Sequence, residues 1–218
     1  MKRLPAALAL VLAFGAAAPL AGCSSVYYSA WELVGREKRD LLRSSLTAMV
    51  DDQQDAGQTF KTALERVKAL NGFQGGNLEA EYDKLKGAYD DAESSAKAID
   101  SRIKDIEDVS GDLFEEWRGE IDQMQSADLK TASRRKLDET RARYDRAHAS
   151  MLESRSRMQP ALTLLHDHVL FLKHNLNAAA VGSLEQSMGG IEQSIAELQR
   201  SLEASIRESQ GFLATMEG

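Results

Sequence analysis

Residues 78–117, LEAEYDKLKGAYDDAESSAKAIDSRIKDIEDVSGDLFEEW, place apolar or small side chains at alternating steps of four and three: Leu78, Tyr82, Leu85, Tyr89, Ala92, Ala96, Ile99, Ile103, Ile106, Ser110, Leu113 and Trp117. Charges fill most of the gaps. An unbroken 3.5-residue period marks a helix whose apolar seam faces another helix. At 1.5 Å per residue this stretch makes a rod of about 60 Å. Its apolar face is too narrow to be buried alone, so the rest of the chain has to supply partners of matching length.

On the amino-terminal side the same repeat runs through Leu42, Leu46, Met49, Gln53, Ala56, Phe60, Ala63, Val67 and Leu70, after an aromatic-rich opening of Val26, Tyr27, Tyr28, Trp31, Leu33 and Val34. Asn71-Gly72-Phe73-Gln74-Gly75-Gly76-Asn77 separates the two rods. Gly72 suits the left-handed conformation beyond a helix end, and Asn77 suits a cap, with Glu79 and Glu81 at the positive end of the dipole. These glycines lack the preceding strand and the Gly-Lys-Ser or Gly-Lys-Thr ending of a phosphate-cradling loop.

Beyond Trp117 the period stutters through Ile121 and Met124. Ser126 or Asp128 caps a third helix, whose nominal seam is Leu137, Arg141, Tyr144, His148, Met151, Arg155, Met158, Leu162, Leu165, Val169, Leu172 and Leu176. Pro160 sits inside it without loss of phase, which predicts a kink near Met158 rather than a stop. A last seam of Leu184, Met188, Ile191, Ile195, Leu198 and Leu202 continues through Ile206 toward Phe212 and Leu213. Gly189-Gly190 lowers helix propensity within it, and a closely approaching backbone is the expected reason.

Helices are thus expected over about 26–70, 78–124, 128–176 and 182–214, in a single elongated domain spanning 23–218. Charge selects their neighbours. From Glu79 to Asp128 there are 16 acidic and six basic residues; from Lys130 to Arg157 there are nine basic and four acidic. The two segments, joined by a short turn, should fold back as a hairpin with attracting flanks, although each exposed pair is worth only about 0.2–1 kcal/mol. The fold class is all-α: an elongated antiparallel four-helix bundle with coiled-coil seams, roughly 65 Å long.

The first 22 residues read as a targeting segment, with Lys2 and Arg3 ahead of an apolar run that Pro19 closes short of the ~20 residues a spanning helix needs. Leu20-Ala21-Gly22-Cys23 resembles the lipobox of bacterial lipoproteins, in which the cysteine becomes the acylated first residue of the mature chain. Cys23 is the only cysteine, so no thiol remains for disulfides, metal ligation or nucleophilic attack. By the sorting rule of such lipoproteins Ser24 implies an outer-membrane address facing the periplasm. Losing Lys2 and Arg3 from the 27 basic residues leaves 25 against 34 acidic, a formal charge of −9 that argues against a nucleic-acid partner.

Five stretches carry a family resemblance: Tyr28-Ser29-Ala30-Trp31-Glu32, Gly35-Arg36-Glu37-Lys38-Arg39-Asp40, Phe73-Gln74-Gly75-Gly76-Asn77-Leu78-Glu79, Leu113-Phe114-Glu115-Glu116-Trp117 and Val169-Leu170-Phe171-Leu172-Lys173-His174-Asn175-Leu176-Asn177-Ala178. Together they resemble the uncharacterised bacterial family DUF2959 over almost all of the mature chain. The resemblance implies an envelope protein of Gram-negative bacteria and supplies no catalytic residue.

Candidate chemistry is sparse. His166 and His168 point about 200° apart on a helix and cannot share an ion from one face. With His148 and His174 they make four histidines without a His-Glu-x-x-His pattern, so no metal, cofactor or catalytic set is assigned. Arg141, His148 and Arg155 fall on nominal seam positions seven apart. Either the arginines extend their charged ends out between helices, or the three form a buried polar seam with Asp112, Asp105 and Asp100. At the end of the bundle formed by the 71–77 turn and the exit of helix three, Phe73, His174, Asn175 and Asn177 are the candidate partner-binding residues. The functional expectation is a non-enzymatic structural or partner-binding lipoprotein, held by membrane lipid through Cys23 and contacting another envelope component. The alternative is a lipid-binding or membrane-remodelling helical protein, followed by a metal carrier or enzyme.

Overall fold

The computed structural model describes residues 38–71, 75, 77–177, 182, 184 and 187–216; Cys23, the opening at 26–34 and Phe73 lie outside them. Four helices make up the described chain: α1 (Lys38–Asn71), α2 (Leu78–Gln123), α3 (Ala127–His174) and α4 (Met188–Met216). Asn77 caps α2 by accepting from the Ala80 amide at 3.2 Å, and Ser126 caps α3 by accepting from Leu129 at 3.4 Å. Each side chain answers one of the amides that a helix start leaves without an internal partner. Among the described residues of the first turn Gly75 has a positive φ, +130°, while Gly72 lies outside them. The last helix is continuous from Met188, and Gly182 and Leu184 ahead of it are helical as well.

Each helix packs on its chain neighbour, and α4 closes the ring on α1. Surface pairs give the antiparallel register: Lys38–Glu116 and Arg102–Asp52 for α1 and α2, Arg155–Asp100 and Arg134–Asp122 for α2 and α3, Arg157–Glu197 for α3 and α4, and Lys68–Glu192 for α4 and α1. Such exposed pairs set register more than they stabilise, each being worth about 0.2–1 kcal/mol. Stability comes from the seams.

All nine seam residues expected on α1, Leu42 through Leu70, are buried. On α2 the core follows the expected column through Leu85, Ala92, Ile99, Ile103 and Ile106. It then passes to Phe114 rather than Leu113 and leaves Trp117 half-buried, its Nε1 donating to Ser133 at 3.1 Å.

The third seam differs from expectation in one of its two columns. Leu137, Tyr144, Met151, Met158, Leu162, Leu165, Val169 and Leu172 are buried as expected, but Ala147, Ser154, Ala161 and His168 are buried beside them where Arg141, His148 and Arg155 were placed. Arg141 and Arg155 are exposed and His148 is half-buried one position further round the helix. The reason is desolvation: an unpaired charge inside the bundle costs several kcal/mol, whereas a small side chain costs little. Likewise Ser205 and Ser209 on α4 are buried where Ile206 was expected, and Ile206 sits at the edge.

These small polar residues meet Gln53. Its fully buried amide donates to Ser205 Oγ at 2.7 Å and Ser154 Oγ at 3.1 Å, tying three helices at one height. Only one spatial alignment of the helices makes both bonds, so the layer specifies register. Gln53 Oε1 and Ser209 Oγ have no hydrogen-bond partner among the described residues.

The glycine pair was expected to admit a close backbone. Instead, a Cβ added at Gly189 or Gly190 would meet open space. The close approach is at Gly57, where an added Cβ would lie 3.3 Å from Gln199 Oε1 and Gln199 Nε2 donates to the Gly57 carbonyl at 2.6 Å. Gly190 is helical with no positive φ. Gly190→Ala should therefore raise stability by about 0.5–1 kcal/mol. Chemical denaturation checks this, and a loss would reveal a contact at that face.

Candidate functional site

Antiparallel order brings the end of α1, the start of α2, the end of α3 and the start of α4 to one end of the bundle, here the far end; the start of α1 lies at the other. His174 closes α3 and is exposed. Asn175 is its C-cap: its backbone amide donates to the Leu172 carbonyl at 3.1 Å and its Nδ2 to the Phe171 carbonyl at 2.9 Å. Both bonds answer carbonyls that a helix terminus leaves open, so Asn175 has a structural task whatever else it does. The Asn177 amide donates to the Asn175 carbonyl at 2.9 Å. These three residues are thus gathered in one short exit.

Beside them the sequence reading missed a more apolar feature. Leu170 is 43% exposed, Phe171 37% and Leu176 43%. Their run was visible as apolar sequence, but the seam column placed only Val169, Leu172 and Leu176 inward. Leu176 in fact lies outside, because α3 ends at His174 and the backbone turns away.

His168 also sits near this end and is 4% exposed. Its Nδ1 contacts the Leu164 carbonyl at 2.9 Å and its Nε2 the Ser187 hydroxyl at 2.9 Å. A carbonyl can only accept, so Nδ1 carries a proton and donates to Leu164. The Ser187 oxygen lies equally close to the Leu184 carbonyl, 2.9 Å away. This arrangement fastens the start of α4 onto α3.

The Arg141, His148 and Arg155 series faces α2 from the surface. Arg155 reaches Asp100 at 3.5 Å, His148 Nε2 lies 2.7 Å from Glu107 instead of Asp105, and the Arg141 guanidinium stands 5.9 Å above the Phe114 ring instead of on Asp112. Below it Phe114 meets Tyr144 edge-on at 5.5 Å, and Tyr144 meets Phe212 at 6.0 Å. Burial pushes the Tyr144 phenol above its usual range, against a hydrogen bond with Ser110, so it stays a neutral core group. Among the described residues no three His, Cys, Asp or Glu side chains gather as a metal-ligand set.

Between α2 and α3 the surface opens into a furrow. Two adjoining hollows of about 370 and 290 Å³ share Ala96, Asp100, Gln159 and Leu162. Ala96, a short side chain, lines both hollows, so no ridge fills the space there. At one end of the furrow the Tyr89 and His166 rings meet at 5.3 Å, tilted by 30°. The Tyr89 phenol is raised above its usual range, by burial first and then by Glu93 and Asp90.

The chain belongs to the family described as protein of unknown function (DUF2959), whose model matches residues 27–216. No curated protein matches it.

Proposed function

We propose that this chain is a lipid-anchored periplasmic protein of the Gram-negative envelope, held in the outer membrane through Cys23, which holds or recognises another envelope component and does not turn over a substrate. One observation carries the reading: Leu170, Phe171 and Leu176 are exposed at the end of the bundle opposite to the start of α1. With 34 residues in α1, the two ends are about 50 Å apart. An exposed aliphatic and aromatic cluster is the kind of surface that partners bury. His174 and Asn177 supply a polar rim beside it.

The test is a double substitution, Leu170→Ser with Phe171→Ser, in the otherwise intact lipoprotein. It should keep helicity and membrane fractionation while an envelope component isolated with the native protein is lost. Unchanged co-isolation would reject the far end as the contact. Turnover of an envelope substrate by the purified protein would reject the non-enzymatic reading.

A further inference from the structure

We propose that the furrow between α2 and α3 is a binding site for a single-chain acyl carboxylate, with the acyl chain lying along Ala96, Met158 and Leu162 and the carboxylate at Lys104 and Arg155. This assignment is independent of what the far end contacts. Size comes first. The larger hollow, about 370 Å³, is at the lower end of small-ligand sites, enough for one acyl chain and too little for a two-chain phospholipid. The span from Lys104 to Tyr89, at the helix rise, is about 22 Å, the proportion of an extended chain rather than of a compact metabolite.

Charge selects the head group and its direction. At the Tyr89 end the rim is already neutralised: Lys97 Nζ holds Glu93 at 2.8 Å, and that bond raises the Lys97 pKa. At the other end Lys104 has no ion-pair partner among the described residues, while Arg155 reaches Asp100 only at 3.5 Å with both side chains about half exposed. Lys104, Arg155 and Asp100 together leave one positive charge, which matches a monoanionic carboxylate. Between the ends Ala96, Met158 and Leu162 form the apolar part of a lining they share with Asp100, Ser156 and Gln159. Burial of apolar chain against that part is favourable at roughly 25 cal/mol per Å², and the cation orients the chain.

The probe is cis-parinarate, a fluorescent polyene fatty acid, titrated into the purified full-length mature protein. Saturable binding at one site per chain is expected. Ala96→Leu fills the furrow at a half-buried surface position that leaves the core intact, and should abolish the signal. Lys104→Glu, on an exposed residue, should weaken parinarate roughly five- to tenfold and leave the affinity of the corresponding neutral alcohol unchanged. Circular dichroism of both variants separates loss of site from loss of fold. No saturable binding, or binding indifferent to Ala96→Leu in a folded variant, overturns the proposal. An equal loss of acid and alcohol in Lys104→Glu overturns the head-group assignment. Capture of an envelope polypeptide by a photocrosslinker at Lys104, in protein that does not bind parinarate, would give the furrow to a protein helix instead.

Discussion

Cys23→Ser is expected to abolish acyl labelling of the protein completely and to leave a precursor of higher mass than the mature form, uncleaved or mislocalised. The chemistry admits no substitute, because acylation needs a thiol and the chain has a single cysteine. Nor does the described bundle offer another means of attachment by spanning, since no described helix is long and apolar enough to cross a membrane. An acyl anchor gains about 0.8 kcal/mol per buried methylene, so stable attachment rests on the chains themselves. Metabolic labelling with a fatty acid, intact-mass measurement and membrane fractionation read the outcome. An unchanged mass with unchanged fractionation would remove the anchor from the account.

The second large effect is on stability. Ile103→Ala and Leu165→Ala should each cost about 2–5 kcal/mol in denaturant unfolding, since both side chains are fully buried, on α2 and α3 respectively, and truncation leaves a cavity that a close-packed seam cannot refill. Against a typical domain stability of about 5–15 kcal/mol this is a substantial fraction. A cost below about 0.5 kcal/mol, the range of ordinary surface substitutions, would place these residues outside a packed core.

Much of this architecture was legible because a heptad reads position directly. The α1 column from Leu42 to Leu70 is buried throughout, and even Gln53 was recognisable as a seam residue by phase. Its partners were not, because Ser154 and Ser205 look like surface residues to any pattern that scores apolarity. The same blindness moved the α3 column by one residue. Arg141, His148 and Arg155 share the seven-residue period of Ala147, Ser154 and Ala161, and only the cost of burying charge separates the two.

Gly189 and Gly190 were visible while their surroundings were not; Gly57, the glycine that does admit a neighbour, carried no local signal apart from being small. His174, Asn175 and Asn177, the residues expected at a contact surface, lie within about a turn of the exposed Leu170, Phe171 and Leu176. Asn175 drew attention as a polar exit residue, but its amide is engaged with the helix it terminates, and the exposed Leu170 and Phe171 beside it entered only within the stretch that carries the family resemblance. The furrow depends on Ala96 of α2 lying opposite Met158, Gln159 and Leu162 of α3, and that pairing exists only once the hairpin register is known.

The most direct measurement of the central claim is photocrosslinking in cells from matched leucines at opposite ends of the bundle. Leu170 at the far end and Leu129 at the start of α3, which is 65% exposed, are each replaced by a photoreactive residue in the lipidated protein, with Ser101 on the exposed flank of α2 as a third site. A discrete adduct with one envelope component from position 170, absent from 129 and 101, is the predicted result. The same adduct from all three positions, or a discrete one from 129 or 101 and none from 170, would contradict it.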